Sequence, residues 1–208
     1  MSEFRTPYSG YDVLDKWNSP SWNDQTREAV RQRLEEIPER RFLTKEQWLL
    51  LEAVVARLMP QHDRKEPVPI VPWIDAMLHH NHTPGYRYAD MPPMREAWKQ
   101  GLDAIAAEAV NRHGKSFEEL SPDDQDEILT DVQHNRVETR YWRDLPAGGF
   151  FLHHLLKQTV GIYYSHPSAW SEIGFGGPAS PRGYVRLGFD ERDPWEAKEY
   201  EFEAEADA

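Results

Sequence analysis

Gly174, Gly176 and Ala179 of "IGFGGPA" stand at the G-x-G-x-x-[GA] spacing of a dinucleotide-binding loop. Such a loop works because its glycines turn a strand into a helix whose N-terminus holds a pyrophosphate. Here "SHPSAWSE" precedes the glycines, with no buried strand in it, and Pro178, Pro181 and a mostly acidic stretch follow. The spacing therefore reads as a glycine-rich turn or contact loop.

Imidazoles offer metal chemistry next. His79, His80 and His82 form "HHNH", and His153 and His154 are adjacent. Neighbouring helical residues diverge by about 100°, so an adjacent pair does not easily share one ion, whereas His79 and His82 do if the helix persists that far. A di-iron bundle requires two Glu-x-x-His units; the nearest approach is Asp131-x-x-His134, on a solvated face. There is no cysteine and no G-x-S-x-G elbow, and Glu35-Glu36, Glu118-Glu119 and Asp123-Asp124 read as solvated helix faces and first-turn charges.

What remains is "GIYYSHPSAWSEIGFGGPASPRGYVRLGF", dense in aromatics, Gly and Pro. Aromatics on a stiffened chain bind partners at low entropy cost. The candidate partner-binding residues are Tyr163, Tyr164, His166, Pro167, Trp170, Gly174, Phe175, Gly177 and Pro178, helped by the N-terminal arm and the loop from Tyr86 to Tyr88. The bland alternative is a strap that wraps back over the chain's own helices, and both can hold. No catalytic, cofactor-binding or metal-binding residue is assigned. Two other function classes stay open: a stand-alone metal-dependent enzyme using His79, His82 and His153 or His154, and a free carbohydrate-binding module using the aromatics as a stacking platform.

The elements that must position these residues are helical. Asp24 starts a charged helix that stops before Pro38, with Val30, Leu34 and Ile37 inward. Thr44-Lys-Glu-Gln47 is a capping-box pattern, followed by Trp48, Leu51, Val55 and Leu58 at 3,4,3 spacing. A helix near 72–80 follows an extended lead, and "NHTPGYRYADMPP" is a long loop. Pro93 opens a long helix through Met94, Trp98, Leu102, Ile105 and Ala109 to His113-Gly114. Ser121-Pro122-Asp123-Asp124 starts another, carrying Ile128, Leu129 and Val132. After Pro146-Ala-Gly-Gly149, Phe151, Leu155, Leu156 and Val160 make an apolar helix ending near Tyr164. Only Tyr184-Val-Arg-Leu187 resembles a short edge segment. The class is all-α: a single helical domain of about six helices over 24–187, an extended aromatic arm over 1–23, a Gly/Pro/aromatic strap, and an acidic tail over 188–208 that is expected to fray.

With 208 residues, 39% hydrophobic and 12% aromatic, the chain can bury a core despite being 29% charged. Its net charge of -12 is concentrated in 190–208, where Arg192 and Lys198 are the only counter-charges. Such a surface repels phosphate backbones and anionic lipid, so neither nucleic-acid nor membrane-surface binding is expected, and with no run of about eighteen apolar residues no membrane insertion is expected either. The N-terminal residues lack an apolar h-region, a twin-arginine pair and a small-residue cleavage site. A cytoplasmic location is expected, with export to the periplasm alongside a signal-bearing partner as the alternative.

Three stretches resemble gluconate 2-dehydrogenase subunit 3, the small subunit family of flavin-dependent dehydrogenase complexes. "FLTKEQWLLLEAVVARLMPQHD" is similar to its opening helix, "GLDAIAAEAVNRHGKSFEELSPDDQDEIL" to its middle, and "GIYYSHPSAWSEIGFGGPASPRGY" to its C-terminal signature. The resemblance spans roughly residues 42–187. It implies a non-catalytic accessory subunit that binds and stabilises a large partner of the glucose-methanol-choline type. That partner carries the FAD and acts on sugars, sugar acids or related alcohols, and a cytochrome c subunit takes the electrons in some complexes. No cofactor is then expected in this chain.

Overall fold

A computed structural model describes residues 6–62, 64–83, 85, 88–178 and 187–199. The protein is all-α: no strand occurs among the described residues. Among the described residues six α-helices of nine or more residues carry the fold, matching the expected number. They are α1 (Asp24–Glu35), α2 (Lys45–Leu58), α3 (Ile70–His79), α4 (Met94–His113), α5 (Pro122–Gln133) and, after the one-turn helices α6 (Thr139–Trp142) and α7 (Ala147–Phe150), α8 (Lys157–Ser165). A further single turn, α9 (Pro167–Trp170), follows.

Local chemistry explains where most of these begin and end. Asn23 rather than Asp24 caps α1, its side-chain oxygen accepting from the Thr26 N–H at 2.9 Å. The capping box at α2 is complete: Gln47 N–H donates to Thr44 Oγ1 at 3.2 Å, and Thr44 N–H donates to Gln47 Oε1 at 3.3 Å. Ser121 caps α5 with Pro122 behind it. The 4,4,3,4 stripe of α4 is buried throughout, Trp98, Leu102, Ile105 and Ala109 being fully enclosed.

Two compact units divide the chain, Pro38–Ile162 and the pair of segments Met1–Ile37 and Tyr163–Ala208. In the first, Asp75 of α3 is completely buried and receives the backbone N–H groups of Arg41, Phe42 and Leu43, which fixes the lead into α2. Between α7 and α8 the chain is not α-helical: Phe151–Leu156 forms a π-helical segment, where one uninterrupted helix is expected from the apolar pattern. In the second unit, Val13, Trp22, Val30 and Trp170 form a core with Tyr11, Leu14, Trp17 and Leu34 against it. The N-terminal arm and the C-terminal strap thus pack on each other. The acidic tail, expected to fray, folds back as far as Glu199, whose Oε1 accepts from the Tyr8 hydroxyl at 2.9 Å. The 184–186 part of the candidate edge segment and the tail from 200 onward lie outside the described residues.

Candidate functional site

The aromatic strap begins in the last turns of α8. Tyr163 is buried and its hydroxyl donates to Glu172 Oε2 at 2.8 Å. His166 is also buried and caps α9, its Nδ1 facing the Ser168 N–H at 3.3 Å, while Pro167 takes the first helical position, where no N–H is missed. Trp170 lies in the core of its unit and donates from Nε1 to the Tyr164 carbonyl at 2.8 Å.

The arm fastens the glycine loop from the other side. Thr6 Oγ1 donates to the Glu172 carbonyl at 2.6 Å, Val13 N–H donates to Ser171 Oγ at 3.1 Å, and the buried Lys16 ammonium donates to the Gly176 carbonyl at 2.9 Å. Burial holds Lys16 below the usual lysine range, with Glu196 and Asp193 pulling the other way. Gly174 and Gly177 have φ of +65° and +76°, a region that favours glycine. Space forbids a side chain at either as well: a Cβ on Gly174 would lie 2.6 Å from the Tyr8 ring, and one on Gly177 2.9 Å from Trp22.

The nine predicted residues therefore separate. Tyr163, His166, Pro167, Trp170 and Gly177 are buried, and Gly174 is half-buried. Pro178 is exposed, as are Tyr164 at 38% and Phe175 at 42%. Ile173, 41% exposed, joins them and was not singled out from sequence, because one aliphatic residue in an aromatic run carries no signal of its own. Phe175 rests edge-on against Trp170, ring centroids 5.6 Å apart, and its N–H donates to the Trp170 carbonyl at 2.9 Å. An exposed aromatic is thus held on a rigid, buried base.

The glycine spacing fails as a nucleotide cradle on structure as well as on sequence. Before Gly174 come α9 and a 3₁₀ turn, Ser171–Ile173, instead of a strand. Ala179 and Pro181 lie outside the described residues.

The histidines gather elsewhere, in the unit Pro38–Ile162. His79, His80 and His82 pack ring on ring, centroids 5.0 and 5.5 Å apart in turn. Asp131 pairs with Arg112 and Arg136, and a His134 ring nitrogen faces the Thr130 carbonyl, so that motif is spent on structure. Among the described residues no group of three or more His, Asp or Glu is arranged to hold a metal ion.

His153 and His154 do share a cavity, of about 400 Å³. Their wall is the π-helical segment and the first turn of α8, with Lys157 and Gln158; the apolar lining is Tyr88, Met91, Pro92, Pro93 and Met94. Tyr88 stacks on His153, ring centroids 3.8 Å apart and planes 18° from parallel. Burial, with the charges of His153 and Lys157, pushes His154 down to about 4, so its ring is neutral near pH 7. Tyr86, the other end of the candidate loop, lies outside the described residues.

The site defines an all-helical protein whose clearest surface feature is an aromatic strap locked by its own N-terminal arm. Residues 45–177, more than half of the chain, match the model of the family Gluconate 2-dehydrogenase subunit 3, and the chain belongs to that family. Neither a curated protein nor a solved structure matches it.

Proposed function

We propose that this chain is the accessory subunit of an oxidoreductase complex, and that it binds and stabilises a flavin-dependent catalytic subunit acting on sugars, sugar acids or related alcohols. The partner is of the glucose-methanol-choline type and holds the FAD; in some complexes of this kind a cytochrome c subunit takes the electrons. The observation that carries the docking role is the pairing of exposed Tyr164, Ile173, Phe175 and Pro178 with a buried base of Tyr163, His166, Pro167 and Trp170. Preorganised aromatics lose little freedom on binding, which is where interface affinity is usually won or lost. Family membership supports the same reading. The final compartment follows the partner: cytoplasmic if neither chain carries a signal, periplasmic if the partner does.

The experiment is co-purification of the tagged chain from its native cells. A yellow, FAD-containing partner is expected. Tyr164→Ala with Phe175→Ala should reduce its recovery at least tenfold, the range for losing one aromatic hot spot. The helical circular dichroism should be unchanged. Undiminished recovery with the folded double variant removes the docking role from the strap, and absence of any flavoprotein with the unaltered chain removes the partner.

A further inference from the structure

Arg143 stands on a strained backbone. Four described non-glycine residues have positive φ; Asn81, Asn135 and Asp190 are of types that tolerate it, and Arg143 is not. Its φ of 52° and ψ of -119° are those of the first central position of a type II′ turn, which glycine ordinarily fills. The Leu145 N–H closes that turn on the Trp142 carbonyl at 2.9 Å, and Gln100 Nε2 donates to the same oxygen. Trp142 and Leu145 are both buried, so the core on either side holds the turn in place. Nothing in that packing calls for arginine: the residue is exposed, and its guanidinium has no hydrogen bond or ion pair with a described residue. Backbone strain of this kind clusters at ligand clamps and switch regions.

The cations around Arg143 are left unpaired in an acidic chain. Arg27, Arg31, Arg57, Arg112 and Arg136 each pair with a carboxylate. Arg95 and Lys99 instead lie over the Phe42 ring, 4.8 and 5.0 Å from its centroid, and Arg140 lies 4.7 Å from that of Tyr141. Neither these three nor Arg143 has an ion pair with a described carboxylate, although the chain holds 36 Asp and Glu against 24 Lys and Arg. Lys99, Tyr141 and Arg143 line one groove of about 320 Å³ with Glu96, Gln100 and Asp103. Its carboxylates are placed for other tasks: Asp103 accepts from Gln47 Nε2 at 2.8 Å, and Glu96 stands in the first turn of α4, where the helix end favours a negative charge.

We propose that this groove receives an acidic segment of the partner protein, one carboxylate on the Arg143 fork with Lys99 beside it. In the accessory-subunit reading, on which this rests, that segment belongs to the flavin-dependent subunit. A planar guanidinium takes a carboxylate through two parallel N–H···O bonds, and a turn held by buried neighbours loses little freedom on binding. An apolar surface would strip water from these cations and return nothing, and a chain of net charge -12 repels nucleic acid.

Co-purification of the tagged chain from its native cells tests it with two variants. Arg143→Gln keeps the strain and removes the charge, so flavoprotein recovery should fall about tenfold with the urea midpoint unchanged. Arg143→Gly should lose recovery equally yet unfold at higher urea, because the relieved strain exceeds the chain freedom that glycine adds. In the unaltered complex, a carbodiimide should join the Lys99 amine directly to an Asp or Glu of the partner, read by mass spectrometry. A flavoprotein recovered undiminished with both variants, or no such link from Lys99, overturns the acidic contact and leaves the accessory role standing. A glycine variant that unfolds at no higher urea removes the strain and overturns the case for a clamp at Arg143. Recovery abolished by nuclease assigns the groove to nucleic acid and overturns the contact as well. Absence of any flavoprotein with the unaltered chain removes the accessory reading itself, and this contact with it.

Discussion

Asp75 is a charge without water: fully buried, it survives because three successive backbone N–H groups, those of Arg41, Phe42 and Leu43, point at its two oxygens over 2.6 to 3.1 Å. Asp75→Asn keeps the shape but turns an NH₂ toward those donors. It should cost about 1–3 kcal/mol of unfolding free energy in urea titration, and an unchanged midpoint would show that the charge is not needed. His154 makes the opposite kind of prediction. Its folded value is depressed to about 4, so below the unfolded value near 6.5 the unfolded chain binds the extra proton. The stability held above pH 6.5 is then lost as pH falls toward 4, by at most about 1.4 kcal/mol per unit. Comparing urea midpoints at pH 7 and 5.5, His154→Gln should flatten this fall. The burial of neither was legible in the sequence, because an isolated Asp in an apolar helix and a His beside another His look alike whether buried or solvated.

Gly101 sits in the middle of α4, where alanine would ordinarily gain about 1 kcal/mol in helix propensity. A Cβ there would collide with the Phe150 ring, which is fully buried and packs edge-on to Trp98. Gly101→Ala should therefore destabilise by about 1–3 kcal/mol, read from urea or thermal unfolding; a stabilised variant would mean Phe150 can move aside. Elements whose causes are local were readable in advance: the Thr44 box, the Ser121-Pro122 start and the Gly114 stop all stand where the residues put them. Those decided by distant packing were not. The one-turn α6 and α9 have too few residues to show a period, and the π-helical segment shares its apolar pattern with an ordinary helix. The strap was recognisable as aromatic, yet which of its residues face outward depends on contacts such as Lys16 to Gly176, 160 residues apart.

At the scale of the whole molecule, the family match begins at residue 45, so the arm that fastens the strap lies outside it, while the strap to Gly177 lies inside. The arm supplies Val13 and Trp22 to the core that holds Trp170, and Lys16 and Thr6 to the loop carrying Phe175. Removing residues 1–22 strips one side of that core, leaving the indole of Trp170 and the Gly176 carbonyl without these partners. Helices α2 to α5 find their core inside the other unit, Leu51, Ile74, Trp98 and Ile128 being fully buried there. Hydrogen exchange on the truncated chain should then show the amides of Ala169 and Phe175 losing protection, while those within α2, α4 and α5 keep theirs. The proposed flavoprotein partner should also be recovered less well, since a loosened strap must be ordered again on binding. Equal protection of Phe175 with and without the arm would mean that α8 and α9 alone fix the strap, and the arm would then have to be explained by a contact of its own.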